Sequence, residues 1–297
     1  PTISLLAVGD IMLSRTVATK IKQNGPDYPF VEFKSILNSV DLVFANLETP
    51  LTPGRLIRPQ EMLFRSDPTL VKTLQKYNFS VLSLANNHTP NFGTLGLNNT
   101  FKYLDQAKIV YVGAGHNLTE ANQPKYVSRQ GIKLAFLAYN DADVVPNSYF
   151  ASSNHSGTNP MNLDNLKLAI RQAKQQADLV IVSMHSGYEY QPHPNQHQIN
   201  FAQTAIDNGA ELVIGHHPHV VQDIKKYKGK YIFYSLGNFI FDQMWSLKTR
   251  QGLAVKIILN KNGLVKFKKI PFLINDYCQP KPVNQKLTPA TQTPLLQ

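Results

Sequence analysis

The chain has 297 residues, of which 30 are Lys or Arg and 19 are Asp or Glu, so its formal net charge is +11. Hydrophobic residues make up 42% of the chain, and no stretch approaches the roughly 20 consecutive apolar residues that a membrane-spanning helix needs. The single cysteine, Cys278, excludes an internal disulfide. The positive charge favours an anionic partner, but no nucleic-acid-binding module is recognisable, so we expect no nucleic acid.

Short apolar runs alternate with longer amphipathic stretches along the chain, a pattern typical of α/β proteins. Strands are predicted at 3–8, 42–45, 79–84, 109–112, 133–139, 179–183, 212–214, 231–235, 253–258 and 264–270. Helices are predicted at 66–77, 162–177 and 195–209 from their capping and stop residues. The Asn-Lys-Asn-Gly segment at 260–263 predicts a hairpin turn.

The C-terminal segment 279–297 is rich in Pro, Gln and Thr and poor in apolar residues. Such a composition predicts an extended or disordered tail, so we expect a single domain over residues 1–278 followed by this tail. Lysines are densest at 223–230 and 262–270. Because lysines commonly protect exposed strand edges, we interpret both patches as solvated hairpin or edge-strand positions.

Five predicted strands end abruptly in residue types that bind metal ions. These residues are Asp10; Asn46 and Glu48; Asn86, Asn87 and His88; His185; and His216, His217 and His219. Because sites in open α/β sheets form at the carboxyl ends of strands, we expect one shared polar pocket. A mixed set of imidazole, carboxylate and amide groups is typical of two-metal hydrolytic centres holding manganese, iron or zinc.

The segment "GHHPH" at 215–219 places two histidines, His217 and His219, on either side of Pro218. In an extended strand their side chains would point to opposite faces. In a loop that bends at Pro218, both rings can turn inward. We therefore predict a metal-binding loop directly after the strand at 212–214.

Other polar residues are predicted around this pocket as substrate-binding or supporting groups. Arg15 and Arg250 are expected to clamp an anionic group, since a guanidinium binds carboxylate or phosphate in a bidentate manner. Asn238 and Asp242 follow a predicted strand, and Glu189 lies four residues after His185. We expect these side chains, together with those of Asn46, Asn86 and His216, to orient ligands or substrate.

The same blocks, in this order, resemble the CapA/PgsA family of poly-γ-glutamate capsule biosynthesis proteins, an offshoot of the calcineurin-like metallophosphoesterases. The matching stretches are "AVGDIMLSR", "VDLVFANLETPLT", "LSLANNH", "ADLVIVSMHSGYEY", "GAELVIGHHPHVVQ" and "YSLGNFIFDQ", and the resemblance extends from residue 3 to about residue 275. It implies a four-layer α/β sandwich of two mixed β-sheets flanked by helices. It also implies that two divalent ions are bound by Asp10, Glu48, Asn87, His88, His185, His217 and His219.

The resemblance further implies that Asn87, His88 and Glu189 are the candidate catalytic residues, and that His216 matters less than its neighbours. The chain departs from the family pattern at three places. Asn91 stands where the family usually has Asp, Ser186 stands where it usually has an aromatic residue, and "ANLE" replaces a Gly-Asp motif. Glu48 is therefore our candidate for the bridging carboxylate.

Three functions remain open from the sequence. The first is a metal-binding accessory of poly-γ-glutamate synthesis or export, extracytoplasmic and acting with membrane-bound partners. We expect such a protein to be anchored through an N-terminal segment that precedes Pro1. The second is a metal-dependent phosphoesterase acting on a phosphate ester. The third is a binding module that keeps the pocket without catalysis.

Overall fold

A computed structural model describes residues 1–284 of the chain. Its strands are β1 (Ile3–Ile11), β2 (Leu42–Leu47), β3 (Phe79–Ser83), β4 (Val110–Val112), β5 (Ala114–Gly115), β6 (Lys125–Arg129), β7 (Ile132–Asn140), β8 (Gly157–Thr158), β9 (Leu179–His185), β10 (Leu212–His216), β11 (Ile224–Tyr227), β12 (Lys230–Phe233), β13 (Asn238–Ile240), β14 (Gln251–Asn260), β15 (Gly263–Asn275) and β16 (Gln279–Pro282). Its α-helices are α1 (Arg15–Asn24), α2 (Lys34–Leu37), α3 (Leu70–Lys76), α4 (Gly93–Gln106), α5 (Leu118–Ala121), α6 (Leu163–Lys174), α7 (Gln196–Asp207) and α8 (Leu247–Arg250). Single 3₁₀ turns span Val31–Phe33, Ala142–Val144 and Asn147–Tyr149.

Two mixed sheets form the centre of the molecule. The larger sheet has the order β16-β15-β14-β1-β2-β3-β4, with β13 paired to β1, and the smaller has the order β11-β12-β10-β9-β7-β6. Strands β1 to β4 are parallel to one another, as are β7, β9, β10 and β12, whereas β14 runs antiparallel to β1. The sheets are mixed because parallel central strands carry antiparallel edges.

The apolar residues form three layers of core. Phe44 of β2 stacks on Phe136 of β7 with ring centroids 5.7 Å apart, inside a cluster that joins the two sheets. A second cluster lies where α1 and α4 pack on the larger sheet, and includes Val17 and Phe101. A third lies under α6 and α7 on the smaller sheet, around Phe201. The helix-sheet-sheet-helix order confirms the predicted four-layer sandwich.

The predicted elements lie at their expected places, with differences at the ends. Helix α3 begins at Leu70 rather than near residue 66, because the Asp67 carboxylate accepts the backbone N–H of Thr69 and forms a turn before the helix. The hairpin at 260–263 joins β14 to β15. Strand β16 pairs with β15, so the folded region continues past the predicted boundary at residue 278. The rest of the predicted tail, 285–297, lies outside the described residues.

The two sheets bring the carboxyl ends of β1, β2, β3, β9 and β10 to one region of the molecule. In this region the backbone of β1 at Gly9 lies very close to the backbone at Gly237. A Cβ atom at residue 9 would lie 1.8 Å from the carbonyl oxygen of Gly237. The backbone N–H of Asp10 donates to the same carbonyl oxygen over 3.1 Å. Across the described residues, no helix is both long and apolar enough to traverse a bilayer.

Candidate metal centre

The strand ends gather a cluster of buried metal-ligand side chains. Two groups lie together, with the ligand atoms inside each group within 4.8 Å of one another. The first group consists of Asp10, Glu48 and His185, and the second of Glu189, His217 and His219. Glu189 is partly exposed at the mouth of the cluster, and the other five residues are buried.

Glu48 lies between the two groups. Its Oε1 atom is 4.0 Å from Nε2 of His185 in the first group and 3.9 Å from Nε2 of His219 in the second. The His185 and His217 rings also approach each other, with centroids 4.7 Å apart. The two groups therefore form one continuous centre.

The loop after β10 turns both of its histidines into this centre. His217 has φ of 101° and His219 has φ of 57°, and Pro218 separates them. Positive φ is unfavourable for residues with a Cβ atom, and such strain is typical of functional sites. This backbone conformation places the His217 and His219 rings on the same side of the loop, with their centroids 5.9 Å apart.

Asn46 connects the carboxylate and imidazole members of the centre. Its Nδ2 lies 2.8 Å from Oδ1 of Asp10 and 3.3 Å from Nδ1 of His185. Its Oδ1 accepts a 3.0 Å hydrogen bond from Asn86. The Asn86 side chain in turn accepts the backbone N–H of His88, so this residue shapes the loop that carries His88.

Asn87 and His88 both reach the centre from the loop after β3, but in different ways. The Asn87 Oδ1 atom lies 3.0 Å from Nε2 of His185. His88 stacks on Phe64 with centroids 3.7 Å apart, and its Nδ1 lies 2.9 Å from Oδ1 of Asn91. Because an amide oxygen only accepts, this contact assigns the ring proton to Nδ1. Burial lowers the pKa of His88 to about 4, so the ring is neutral near pH 7.

The histidines of the centre have opposite protonation behaviour. Burial lowers the pKa of His217 to about 3 and lowers the pKa of His185 well below its ordinary value. Burial also acts against protonation of His219, but the neighbouring Glu48 and Asp10 carboxylates raise its pKa to about 9. Burial and the charge of Asp10 raise the pKa of Glu48 well above its ordinary value.

Two buried atoms of the centre have no hydrogen-bond partner among residues 1–284, namely Oε1 of Glu48 and Nδ1 of His217. A buried polar atom without a partner is costly. Coordination of a divalent cation would satisfy carboxylate and imidazole atoms of this kind, and this donor set suits manganese, iron or zinc. The residues present therefore fit a divalent metal.

Asn238 positions His219 from outside the cluster. Its Oδ1 accepts a 2.8 Å hydrogen bond from Nδ1 of His219, and its own Nδ2 donates to the carbonyl oxygen of Thr249 over 3.0 Å. The Nε2 atom of His219 is thereby directed toward Glu48 and Glu189, which lie 3.9 and 4.0 Å away.

The two arginines that were predicted to clamp an anionic group both have partners within the protein. Arg15 is buried and forms an ion pair with Asp242, and its guanidinium lies 4.7 Å from the Phe64 ring. Arg250 donates from Nε to the carbonyl oxygen of Ile274 in β15 over 3.2 Å. Each guanidinium thus has a partner within the fold, and the expectation that the two arginines clamp an anionic group stays a prediction.

His216, which was predicted as a supporting or substrate-binding residue, lies in the core between the two sheets. Its Nε2 lies 3.2 Å from the carbonyl oxygen of Val8 and its Nδ1 lies 3.4 Å from Oγ of Ser183. The ring packs 6.0 Å from Phe44 in the core between the sheets. The reason is strand alternation: as the last residue of β10, His216 points between the sheets, whereas His217 begins the loop.

An aromatic rim beside the centre was not predicted. It consists of Tyr188, Tyr190 and Trp245, whose exposed fractions are 61%, 39% and 65%. The Tyr190 ring lies 5.9 Å from Trp245 and 6.3 Å from His219, and its φ of 63° is strained. The only sequence signals are the aromatic residues of "SGYEY" and the single Trp, whose exposure a sequence pattern does not indicate.

Comparison with solved structures identifies the fold. The calcineurin-like phosphoesterase YfkN from Bacillus subtilis superposes with a TM-score of 0.51 over 91% of this chain and 90% of that one, at 13% sequence identity. At such low identity the likeness concerns the fold alone. It agrees with the expectation of a metallophosphoesterase-like sandwich.

Sequence relatives are much more similar. The PGA biosynthesis protein CapA of Bacillus subtilis (strain 168) is 36% identical over 281 residues, covering 94% of this chain and 73% of the relative. The capsule biosynthesis protein CapA of Bacillus anthracis is 35% identical over 297 residues, covering 96% of this chain and 70% of the relative. The profile of the bacterial capsule synthesis protein PGA_cap matches residues 4–243. With most of its length matched, this chain belongs to the bacterial capsule synthesis protein PGA_cap family.

Proposed function

We propose that this protein is a metal-binding accessory of poly-γ-glutamate synthesis or export, and that its centre holds two divalent ions that engage the carboxylates of the polymer. The names of its two Bacillus relatives, which refer to PGA and capsule biosynthesis, support the polymer. The metal role rests on a separate observation within the chain itself.

That observation is the pair of buried ligand atoms, Oε1 of Glu48 and Nδ1 of His217, that have no hydrogen-bond partner within the described residues. Asp10, Glu48, Asn87, His88, His185, His217 and His219 would hold the ions, and Glu189 lies beside His219 at the mouth. Bound divalent ions supply positive charge and Lewis acidity in a region that excludes water. Either property would serve a ligand that carries many carboxylates.

The chain's own residues would organise such a ligand. Asn238 holds the His219 ring, and Asn46 holds Asp10 and His185. The aromatic rim provides flat surfaces next to the centre, onto which methylene and amide groups of a polymer chain can pack. Glu189, half exposed at the mouth, is the candidate to move a proton at the edge of the site.

Hydrolysis of a phosphate ester is the second candidate function. It is favoured by His88, which lies in the loop after β3 and is kept neutral by burial, with its proton on Nδ1 facing Asn91. A neutral imidazole whose Nε2 carries a lone pair can accept a proton from a reacting group. The phosphoesterase-like fold permits this chemistry but does not by itself assign it.

We place the protein outside the cytoplasm, at the membrane where a capsule polymer is made and exported. Membrane-bound synthesis and export proteins are its expected partners. The family membership and the names of the Bacillus relatives support this location.

The decisive experiment compares metal-stripped protein with protein reloaded with manganese, iron or zinc. We expect elemental analysis to find up to two ions per chain, and we expect metal-dependent binding or shortening of poly-γ-glutamate. His217→Ala should lose both effects, whereas His116→Ala, a matched change at an exposed histidine outside the centre, should lose neither. Rapid turnover of an aryl phosphate without any effect on the polymer would favour the phosphoesterase. A protein that takes up no metal would overturn both candidates.

A further inference from the structure

A large groove lies beside β15, at the open side of the two sheets. Its volume is about 1450 Å³. One wall comes from Val221 and Gln222, which follow His219 by two and three residues, and from Ile224 of β11. The other comes from β14 and β15, so the groove contacts both sheets of the sandwich.

Four lysines line this groove: Lys256, Lys266, Lys268 and Lys269. We call it the lysine groove. Within residues 1–284 no carboxylate pairs with any of the four and no Asp or Glu lines the groove. Two lysines near the neighbouring hairpin differ in this respect, since Lys228 pairs with Asp207 and Lys230 with Glu211. The groove therefore carries four positive charges that no carboxylate of the described residues offsets.

Two of these lysines place like charges opposite each other, although Lys256 also donates to the carbonyl oxygen of Ser39 over 3.0 Å. Lys256 of β14 and Lys268 of β15 are direct cross-strand partners, and like charges placed opposite each other destabilise a sheet. Protection of a strand edge would explain lysines on β15, but Lys256 lies on β14, which is paired on both sides. Edge protection alone therefore does not account for the set.

The groove also offers an open backbone edge and apolar surface. Strand β16 pairs with β15 only from Phe272 to Asn275, so within the described part of the chain Val265–Ile270 has no partner strand on that side. Apolar side chains that line the groove between the lysines include Ile258 and Phe267. A matching ligand would carry many negative charges, amide groups and methylene stems along an extended chain.

We propose that the lysine groove binds an extended polycarboxylate polyamide chain, of which poly-γ-glutamate is the probe, at a surface separate from the metal centre. This inference rests on the proposed function for the identity of the polymer. The lysines would bind its carboxylates, the apolar side chains its methylene groups, and the open edge of β15 its amides. Such a surface would hold the chain while its end reaches the metal centre.

The test measures binding of fluorescently labelled poly-γ-glutamate to the whole protein by anisotropy. The triple variant Lys266→Ala/Lys268→Ala/Lys269→Ala should lose more than tenfold in affinity. A control triple, Lys225→Ala/Lys228→Ala/Lys261→Ala, removes an equal number of positive charges, but from lysines that face carboxylates. Its affinity for the polymer should fall less than threefold. The triple Lys→Arg variant of the groove should retain binding, and binding should weaken with added salt because screening increases.

Several outcomes would overturn the proposal. Equal losses in the two alanine triples would show attraction by net charge alone. Equally tight, lysine-dependent binding of anionic lipid vesicles or a DNA oligonucleotide would reject the polymer class. His217→Ala separates the two proposals, because it should lose metal and keep the groove's share of binding. If His217→Ala abolishes polymer binding and the lysine triple does not, the groove fails and the proposed function stands.

Discussion

The metal centre and the lysine groove use charged residues in opposite ways. In the centre Asp10, Glu48, His185, His217 and His219 are buried, and His219 lies 3.5 Å from Asp10 and 3.9 Å from Glu48. In the groove Lys266, Lys268 and Lys269 are exposed and have no acidic partner among residues 1–284.

The difference shows how the cost of a charge depends on its surroundings. A buried charge needs compensation within the fold, so the centre is coupled to protein stability. An exposed lysine is solvated, so the groove can keep unpaired charge for a ligand at little cost to folding. Changes in the centre should therefore affect folding and binding together, whereas changes in the groove should affect binding with at most a small effect on the free energy of unfolding.

The largest effect is expected from His219→Ala. Removing this cationic ring leaves the buried Asp10 and Glu48 carboxylates without their partner, which should lower the free energy of unfolding of metal-free protein by about 3 kcal/mol. His217→Ala removes a neutral ring with an unpartnered Nδ1 and should cost only about 1 kcal/mol. Urea unfolding in the presence of a chelator measures both, and equal costs would contradict the assigned protonation states.

Asn238→Ala should weaken metal binding without removing a ligand. Losing the partner of His219 Nδ1 frees the ring to rotate, and changes of this kind typically reduce metal affinity about 10- to 100-fold. Competition with a chromophoric chelator gives the affinity. Asn99→Ala, which removes an amide that donates to Thr52, is the control and should leave the affinity unchanged. An unaltered affinity in Asn238→Ala would show that the ring is held by other contacts.

Metal affinity should rise with pH between 7 and 9. In metal-free protein the pKa of His219 is raised to about 9, so a proton must leave this ring before it can bind a metal. Displacing one proton makes the apparent affinity increase about tenfold per pH unit up to pH 9. His217 and His88 require no such step at pH 7, because burial lowers their pKa values to about 3 and about 4. Calorimetry in buffers of different ionisation enthalpy should detect the released proton, and its absence would contradict this assignment.

The smallest effect is expected from Lys268→Thr in the groove. Removing one member of the Lys256–Lys268 cross-strand pair should raise the free energy of unfolding by a few tenths of a kcal/mol, because the like-charge repulsion is relieved. Chemical denaturation at low salt is the measurement, with Lys225→Thr as the control. A loss of more than about 1 kcal/mol, beyond what exposed substitutions usually cost, would show that the lysine is structural.

Much of the centre was predictable because its signals are local. The apolar strands that lead to Asp10, Asn46 and His185 each change to polar residues within a few positions. Parallel strands then bring such ends together. The His217-Pro-His219 segment likewise predicted its own inward bend. The fold class followed from the same alternation of strands and helices.

The partners of these residues were not predictable, because they depend on how distant segments meet. Arg15 is paired with Asp242, 227 residues later, and no local pattern predicts this contact. His216 sits between the sheets because of its place at the end of β10. The lysines at 262–270 were interpreted as edge-strand residues, and the short β16 indeed leaves part of β15 at the edge of the sheet. Only the pairing of β15 with β14 places Lys256 beside them.

The sequence by itself thus determined the layers of the fold and the chemical types gathered at the strand ends, since both follow from short-range periodicity and composition. Only the tertiary structure decided which histidine is charged, which arginine is held by the fold and which lysines share a groove. These properties depend on burial and on the distances between groups far apart in the chain, and local patterns do not specify either for an individual side chain.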